Sequence, residues 1–335
     1  MTKGLISIII PVYQVSDYVE RCIRSVMSQT FTDIECIIVD DATEDDSMVK
    51  CQKLIDEYDG RIQFRLLHHE KNRGLSAARN TGTKAATGEY VFYLDSDDEI
   101  THDCIEKMML MAEKYPEAEM VVGNYLECRE GKEAKVMHDD KLPSLIKSNR
   151  EYVRYYHQHR IAHYAWNKLF KRSFIECHGL YFKDGILYED YLWTFYIAKY
   201  VSKVCVVKDV SYLYYKRIGS ITIGSDEKKV GESYIVIFDD ILNHLTPGRE
   251  RKEMVYSVER FCHHYLTHKE SQTAYKDLHG LFIRRAKEYG CWYAYMVLTA
   301  VAVMGQVGNP VKLLSVLHAV RWKLMPFFYN ANGAK

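Results

Sequence analysis

Short apolar runs alternate with amphipathic segments over the first 124 residues, and this alternation restricts the chain to very few folds. The segments that read as strands are Ile6 to Pro11, Glu35 to Val39, Ile62 to Leu67, Tyr90 to Leu94 and Met120 to Gly123. Helical patterns fill the gaps at 16–29, 47–58, 75–86 and 103–114, the first with Ser16 as N-cap. Strands separated by helices at this spacing predict an α/β fold, a doubly wound and mainly parallel sheet. Right-handed crossovers then bring every strand's carboxyl end to one edge, where open sheets bind ligands. Pro11 to Tyr13, Asp40-Asp41 and Asp95 to Asp97 are expected to converge there. Past residue 130 the pattern changes. Residues 130–140 read as a polar loop, 150–225 mix short elements rich in Tyr, Trp and His, and 228–335 read as mostly helical.

Bulk composition removes several function classes. The 335 residues carry 45 Lys+Arg and 45 Asp+Glu, so no overall basic field argues for nucleic acid. Nine cysteines, with no C-x-x-C pair, read as reduced thiols of a cytoplasmic protein and not as a disulfide framework. The run from Leu5 to Val12 is short and contains Pro11, unlike a signal peptide. No charge occurs between Glu288 and Lys312, yet the apolar part from Cys291 to Met304 is shorter than the roughly 20 residues of a spanning helix. The basic, amphipathic stretch 311–324 follows. It could lie with 291–304 on an anionic membrane surface, as a peripheral contact at the inner face of the plasma membrane, or pack on the protein body. His264 and His268 have the i, i+4 spacing of zinc ligands, but no H-E-x-x-H or paired Cys accompanies them, so they read as ordinary histidines.

The strongest chemical signal is Asp95-Ser96-Asp97-Asp98, directly after the apolar run 90–94. Three carboxylates at a sheet's carboxyl edge suit Mg²⁺ or Mn²⁺, hard cations that take oxygen ligands and usually hold phosphates as well. Asp97 or Asp98 could instead cap the following helix.

Four ordered stretches carry a resemblance: Ile6 to Tyr13, Ile37 to Asp41, Asn72 to Asn80 and Leu94 to Asp98. Together they resemble the amino-terminal domain of family 2 glycosyltransferases, which have a GT-A (Rossmann-like) fold. Trp166-Asn167-Lys168-Leu169-Phe170 and Tyr188-Glu189-Asp190 extend the similarity. The resemblance implies a glycosyltransferase domain over 1–225, with a nucleotide-binding half at 1–124 and an acceptor half at 150–225. A helical region at 226–335 follows it. It also implies metal-dependent, inverting transfer from a nucleotide-diphosphate sugar, expected to be a uridine diphosphate (UDP) sugar, to an acceptor hydroxyl. The acceptor would be a saccharide or lipid-linked saccharide of a bacterial surface polysaccharide. Residue by residue, Asp97 would be the metal ligand. Asp95, with Ser96, would contact the nucleotide or assist the metal. Asp40 would meet the nucleobase, Pro11 and Tyr13 would line its pocket, and Arg73 would touch base or phosphate. Asp190, paired with Glu189, would be the general base. Trp166 would face the acceptor, unless it is a core residue, and Arg217 with Ser220 would clamp a phosphate, unless Arg217 is a plain loop charge.

Two rivals stand beside this reading. A nucleotidyltransferase should show a Gly-rich, basic loop after the first strand, and Pro11 to Ser16 contains no Gly, Lys or Arg. A non-catalytic sugar-nucleotide-binding scaffold would not need Asp190.

Overall fold

A computed structural model describes residues 2–129, 135–137, 141–158, 160–216, 226–254, 256–258 and 275–304. The spine is β1 (Thr2–Val12), whose Ile6, Ile8, Ile9 and Ile10 have no exposed surface. A strand covered on both faces needs such a mostly apolar run. It pairs in parallel with β2 (Ile34–Asp40) and with β4 (Gly88–Tyr93), and β3 (Gln63–His68) extends the sheet beyond β2, also in parallel. The main path of the ten-stranded sheet is β3-β2-β1-β4-β9-β6-β10-β5, with β7 (Lys135–Met137) beside β6 and β8 (Leu145–Ile146) beside β10 off it. Here β5 is Glu99–Ile100, β6 Met120–Arg129, β9 Lys168–Lys171 and β10 Val204–Lys216. The expected doubly wound, mainly parallel sheet is present, with one insertion. β9 lies antiparallel between β4 and β6, and it carries the 166–170 motif into the middle of the sheet.

Helices cover the sheet as the apolar spacing requires. In α1 (Val19–Met27) Val19, Cys22, Ile23 and Val26 form one buried i, i+3, i+4, i+7 stripe, with Ser25 buried beside it. α2 (Ser47–Asp56) and α4 (Cys104–Lys114) repeat the device. α3 (Leu75–Ala85) is rich in small residues because it lies close to β1, and a side chain at Gly82 would run into Ile9.

Two boundaries differ from expectation. α1 begins at Val19, because the Ser16 amide donates to Asp45 at 2.9 Å and holds 15–18 as a turn. The expected loop 130–140 contains β7 (Lys135–Met137), antiparallel to β6. α5 (Asn149–His157) has a side-chain cap from Ser148, and α6 (Arg172–Cys177) and α7 (Glu189–Tyr200) complete this half.

The chain divides into two compact units, one of Met1–Gly185 with Glu189–Ile223 and one of Ile186–Tyr188 with Gly224–Lys335. Described helices of the second include Glu227–Asn243, Tyr275–Glu288 and Trp292–Met304. Its core gathers Tyr234, Ile237, Leu278, Phe282 and Leu298, with Phe238 edge-on to Phe282 at 5.7 Å. Among the described residues no helix is long and apolar enough to cross a membrane. The eight described cysteines are free thiols, six of them buried.

Candidate active site

The parallel register sets the site. Val12 pairs with Asp40, the Asp41 amide donates to the Val12 carbonyl at 3.0 Å, and the Leu94 amide donates to Ile9 at 3.1 Å. The segments after β1, β2 and β4 therefore leave the sheet side by side. Four non-glycine residues among those described have positive φ: Gln14, Ala42, Asn167 and Tyr188. Each directly follows or precedes a residue singled out from sequence or its immediate neighbour. Backbone of this kind costs energy and collects at functional sites.

On the nucleotide side, Tyr13 is 41% exposed, so its ring is open to a ligand. Pro11, in contrast, is buried within β1 opposite Val39. Asp40 accepts from the Thr43 amide at 2.8 Å and lies 3.1 Å from His68 Nδ1. Asp41, which motif reading left without a role, is an internal strut. Its carboxylate accepts the amides of Arg73 at 2.8 Å and Gly74 at 2.7 Å and meets His69 Nδ1 at 2.6 Å. Gly74, at φ 88°, can take that turn without strain. The turn leaves the Arg73 side chain exposed beside the edge.

The three carboxylates after β4 have separate surroundings. Asp98 turns inward, accepting from Tyr212 Oη and from the Tyr215 amide, each at 2.8 Å. Burial pushes its carboxyl well above the usual range, and Asp97 and Asp95 add to the shift. Asp98 is thus neither a helix cap nor open to ligand. Ser96 is also buried. The Asp97 carbonyl accepts from Arg21, whose guanidinium lies 3.7 Å from the centre of the Tyr215 ring. Asp95, with 24% of its side chain exposed, accepts from Arg79 Nη2 at 2.7 Å.

Could this rim hold a divalent cation? No cluster of three or more His, Cys, Asp or Glu among the described residues forms a complete protein cage. Mg²⁺ and Mn²⁺ bound with a diphosphate need only one or two carboxylates, the phosphates and waters supplying the rest. Asp97 and Asp95, both part-exposed at this rim, are the two carboxylates that such a donor set needs.

The acidic pair opens α7, where the helix dipole favours negative charge. Glu189 is buried and accepts from Arg79 Nη1 at 2.5 Å. Asp190 is half-buried. Its carboxyl is pushed up to about 8, first by burial and then by Glu189, against the pull of Arg79 and Lys168. Lys168, buried at the start of β9 with its ammonium on the Tyr164 carbonyl, is pushed down to about 7 by burial and raised in part by Asp190. Thr194 Oγ1 donates to the His163 carbonyl at 2.6 Å, and His163 stacks on Tyr191, which ties α7 to the segment before β9.

Arg79 lies inside the Asn72–Asn80 motif, and its role emerges only from its contacts. It is 2% exposed and holds Asp95 with one nitrogen and Glu189 with another. One guanidinium therefore brings the donor-side acids and the proposed base pair together, although they are 94 positions apart (189 − 95). Its neighbour Asn80 donates to the Phe182 carbonyl at 2.7 Å and to Asp184 at 3.1 Å. A charged residue on the buried face of a small-residue helix was the available signal, since arginine is rarely buried without a partner.

Trp166 corrects an expectation. It is 5% exposed and stacked with Tyr164 at 4.7 Å and Tyr212 at 4.5 Å. Buried among tyrosines, this indole is a core residue and does not offer a face to an acceptor sugar. It braces Tyr212, which in turn holds Asp98. Arg217 and Ser220 lie outside the described residues.

The sequence model described as Glycosyl transferase family 2 matches residues 7–179. The chain belongs to glycosyl transferase family 2. The Bacillus subtilis (strain 168) protein EpsH is 32% identical to this glycosyltransferase over 268 residues, covering 78% of this chain and 75% of its own. Among solved structures, S. aureus TarS 1–349 in complex with UDP-GlcNAc superposes at a TM-score of 0.67 with 16% identity, over 95% of this chain and 92% of that one. The mannosyltransferase PcManGT from Pyrobaculum calidifontis, in complex with GDP-Man and Mn²⁺, superposes at 0.54 with 16% identity, over 99% and 86%. These likenesses establish the GT-A-type fold.

Proposed function

We propose that this family 2 glycosyltransferase is a metal-dependent, inverting enzyme that moves a sugar from a UDP-sugar to an acceptor hydroxyl. The observation that carries the proposal is the Arg79 bridge, which places the Glu189-Asp190 pair at the same rim as Asp95. Tyr13, Asp40 and Arg73 line the nucleotide side. The choice of uridine follows the likeness to TarS, solved with UDP-GlcNAc, and that of a divalent cation follows PcManGT, solved with Mn²⁺. Asp97 and Asp95 would hold Mg²⁺ or Mn²⁺, which neutralises charge growing on the departing diphosphate. Asp190, as carboxylate, takes the proton from the acceptor hydroxyl. That oxygen attacks the anomeric carbon as the bond to the diphosphate breaks, and UDP leaves with the bonding electrons. A carboxyl titrating near neutrality is matched to this task. The domain carrying this chemistry is residues 1–225, and a saccharide or lipid-linked saccharide of a bacterial surface polysaccharide is the acceptor.

Incubating the protein with a panel of sugar nucleotides and Mn²⁺, and measuring free UDP against GDP, tests this reading. UDP release from at least one UDP-sugar is the expected result, and release from none would overturn it.

The carboxyl-terminal region supports a peripheral contact with the inner face of the membrane. Trp292 and Met296, one helical turn apart, are 66% and 61% exposed. The basic stretch 311–324 follows them in the chain and lies outside the described residues. Sedimentation with phosphatidylglycerol vesicles should carry the protein down, phosphatidylcholine vesicles should not, and Trp292→Glu with Met296→Glu should reduce the bound fraction by about tenfold. Equal sedimentation of the double variant would refute the contact.

A further inference from the structure

We propose that Arg79 is a positioning residue for the transfer step, a rigid fork that fixes the base-bearing end of α7 relative to the donor carboxylate Asp95. The inference rests on the reading of Asp190 as base and goes beyond it.

The geometry is unusual for a merely structural ion pair. The guanidinium meets one carboxylate from the loop after β4 and one from the first turn of α7, Asp95 Oδ1 at 2.7 Å and Glu189 Oε1 at 2.5 Å, while Phe182 covers it at 5.3 Å. Its Nε is buried and has no hydrogen-bond partner among the described residues. A design for stability alone would satisfy that donor or replace the trio with apolar side chains, which is often neutral or stabilising. Burial disfavours the charge, but Asp95 and Glu189 outweigh it and hold Arg79 protonated. The planar fork also fixes an angle, which a lysine ammonium does not. Glu189 precedes Asp190, so the tilt of one carboxylate is coupled to the place of the other. One residue on, Asn80 accepts the Phe182 amide at 2.8 Å and holds the same segment seven residues before Glu189. Two consecutive side chains of α3 thus pin both ends of 182–189.

Arg79→Lys tests the fork while keeping the charge. Calorimetry with UDP and Mn²⁺ should give an affinity within about threefold of wild type, and KM for the accepted UDP-sugar should hold as well. The turnover number should fall about 100-fold, since small misplacements of a reacting group cost that much. Glu189→Gln should produce the same kcat-only loss, and the double variant should be no worse than either single by more than about threefold. Arg79→Lys turning over within threefold of wild type, a kcat loss matched by an equal loss of UDP affinity, or additive losses in the double variant would each overturn the proposal. Should Arg79→Lys fail to fold, Glu189→Gln carries the test: a kcat-only loss supports the fork, and full activity refutes it. A readout free of turnover separates this inference from the transferase reading. The Arg79 guanidinium ¹H–¹⁵N signals, assigned by their absence in Arg79→Lys, should shift when Mg²⁺ and UDP are titrated into the wild-type chain. No shift at saturation would sink the coupling even if transfer is observed. A shift without transfer would support the coupling and count against the transferase reading.

Discussion

Asp190→Asn is expected to lower the rate of transfer by about a thousandfold, within the range that general bases contribute, and to make the protein more stable at pH 8. The two effects share one cause. In the folded protein the Asp190 carboxyl is pushed up to about 8 by burial and by Glu189, whereas in an unfolded chain it titrates near 4. The native state therefore binds more protons than the unfolded state between those values. Its stability contribution is complete below about pH 4 and is lost as pH rises through the folded value. An asparagine has no proton to lose. The stability advantage of the variant should be near zero at pH 4, grow through the neutral range and level off above pH 8. Allowing for partial exposure, about 2 kcal/mol is expected at the plateau, or several degrees in Tm. The wild-type kcat/KM should rise over the same interval, because the base works only once it has lost its proton. Melting curves from pH 4 to 9 with rates on the same samples decide the matter. A variant that keeps more than a tenth of the activity, or that melts lower than wild type at pH 8, would remove Asp190 from the proposed role.

The second large effect concerns Asp97. UDP with Mn²⁺ should raise the melting temperature, since a ligand that binds only the folded chain stabilises it by about 2.7 kcal/mol at one hundred times its dissociation constant. Chelator should abolish that rise, and so should Asp97→Ala, with turnover falling by at least about a hundredfold. Asp98, one residue on, bonds inward to Tyr212 and Tyr215. Asp98→Ala should destabilise the apo protein by about 2 kcal/mol, leaving Tyr212 Oη and the Tyr215 amide without that acceptor. UDP stabilisation that ignores chelator would remove Asp97 as the metal ligand.

Strand and helix spacing, together with four ordered motifs, carry the fold class and the convergence of loops in the sequence itself. A strand covered on both faces must be mostly apolar, as Ile6, Ile8, Ile9 and Ile10 are around Ser7, and a covering helix must carry a stripe, as α1 does. These are local constraints that a linear pattern records. Neighbouring carboxylates with opposite fates are not local. Asp97 and Asp98 look equivalent in the chain, and only Tyr212 and Tyr215, more than a hundred positions later, draw Asp98 inward. The chain alone leaves Trp166 open as either a sugar-facing or a core residue, and the insertion of β9 between β4 and β6 decides for the core by burying it among tyrosines.

What the chain alone determined, then, was a sheet with acidic groups along one edge and the family whose motifs those groups match. What tertiary structure decided was which acids face one another, because Arg79 finds Glu189 only after the antiparallel insertion folds the second half back onto the first. Periodicity reports which face of an element is dry. Pairing between residues about a hundred positions apart depends on topology, and a buried charge discloses its partners only when the chain has closed around it.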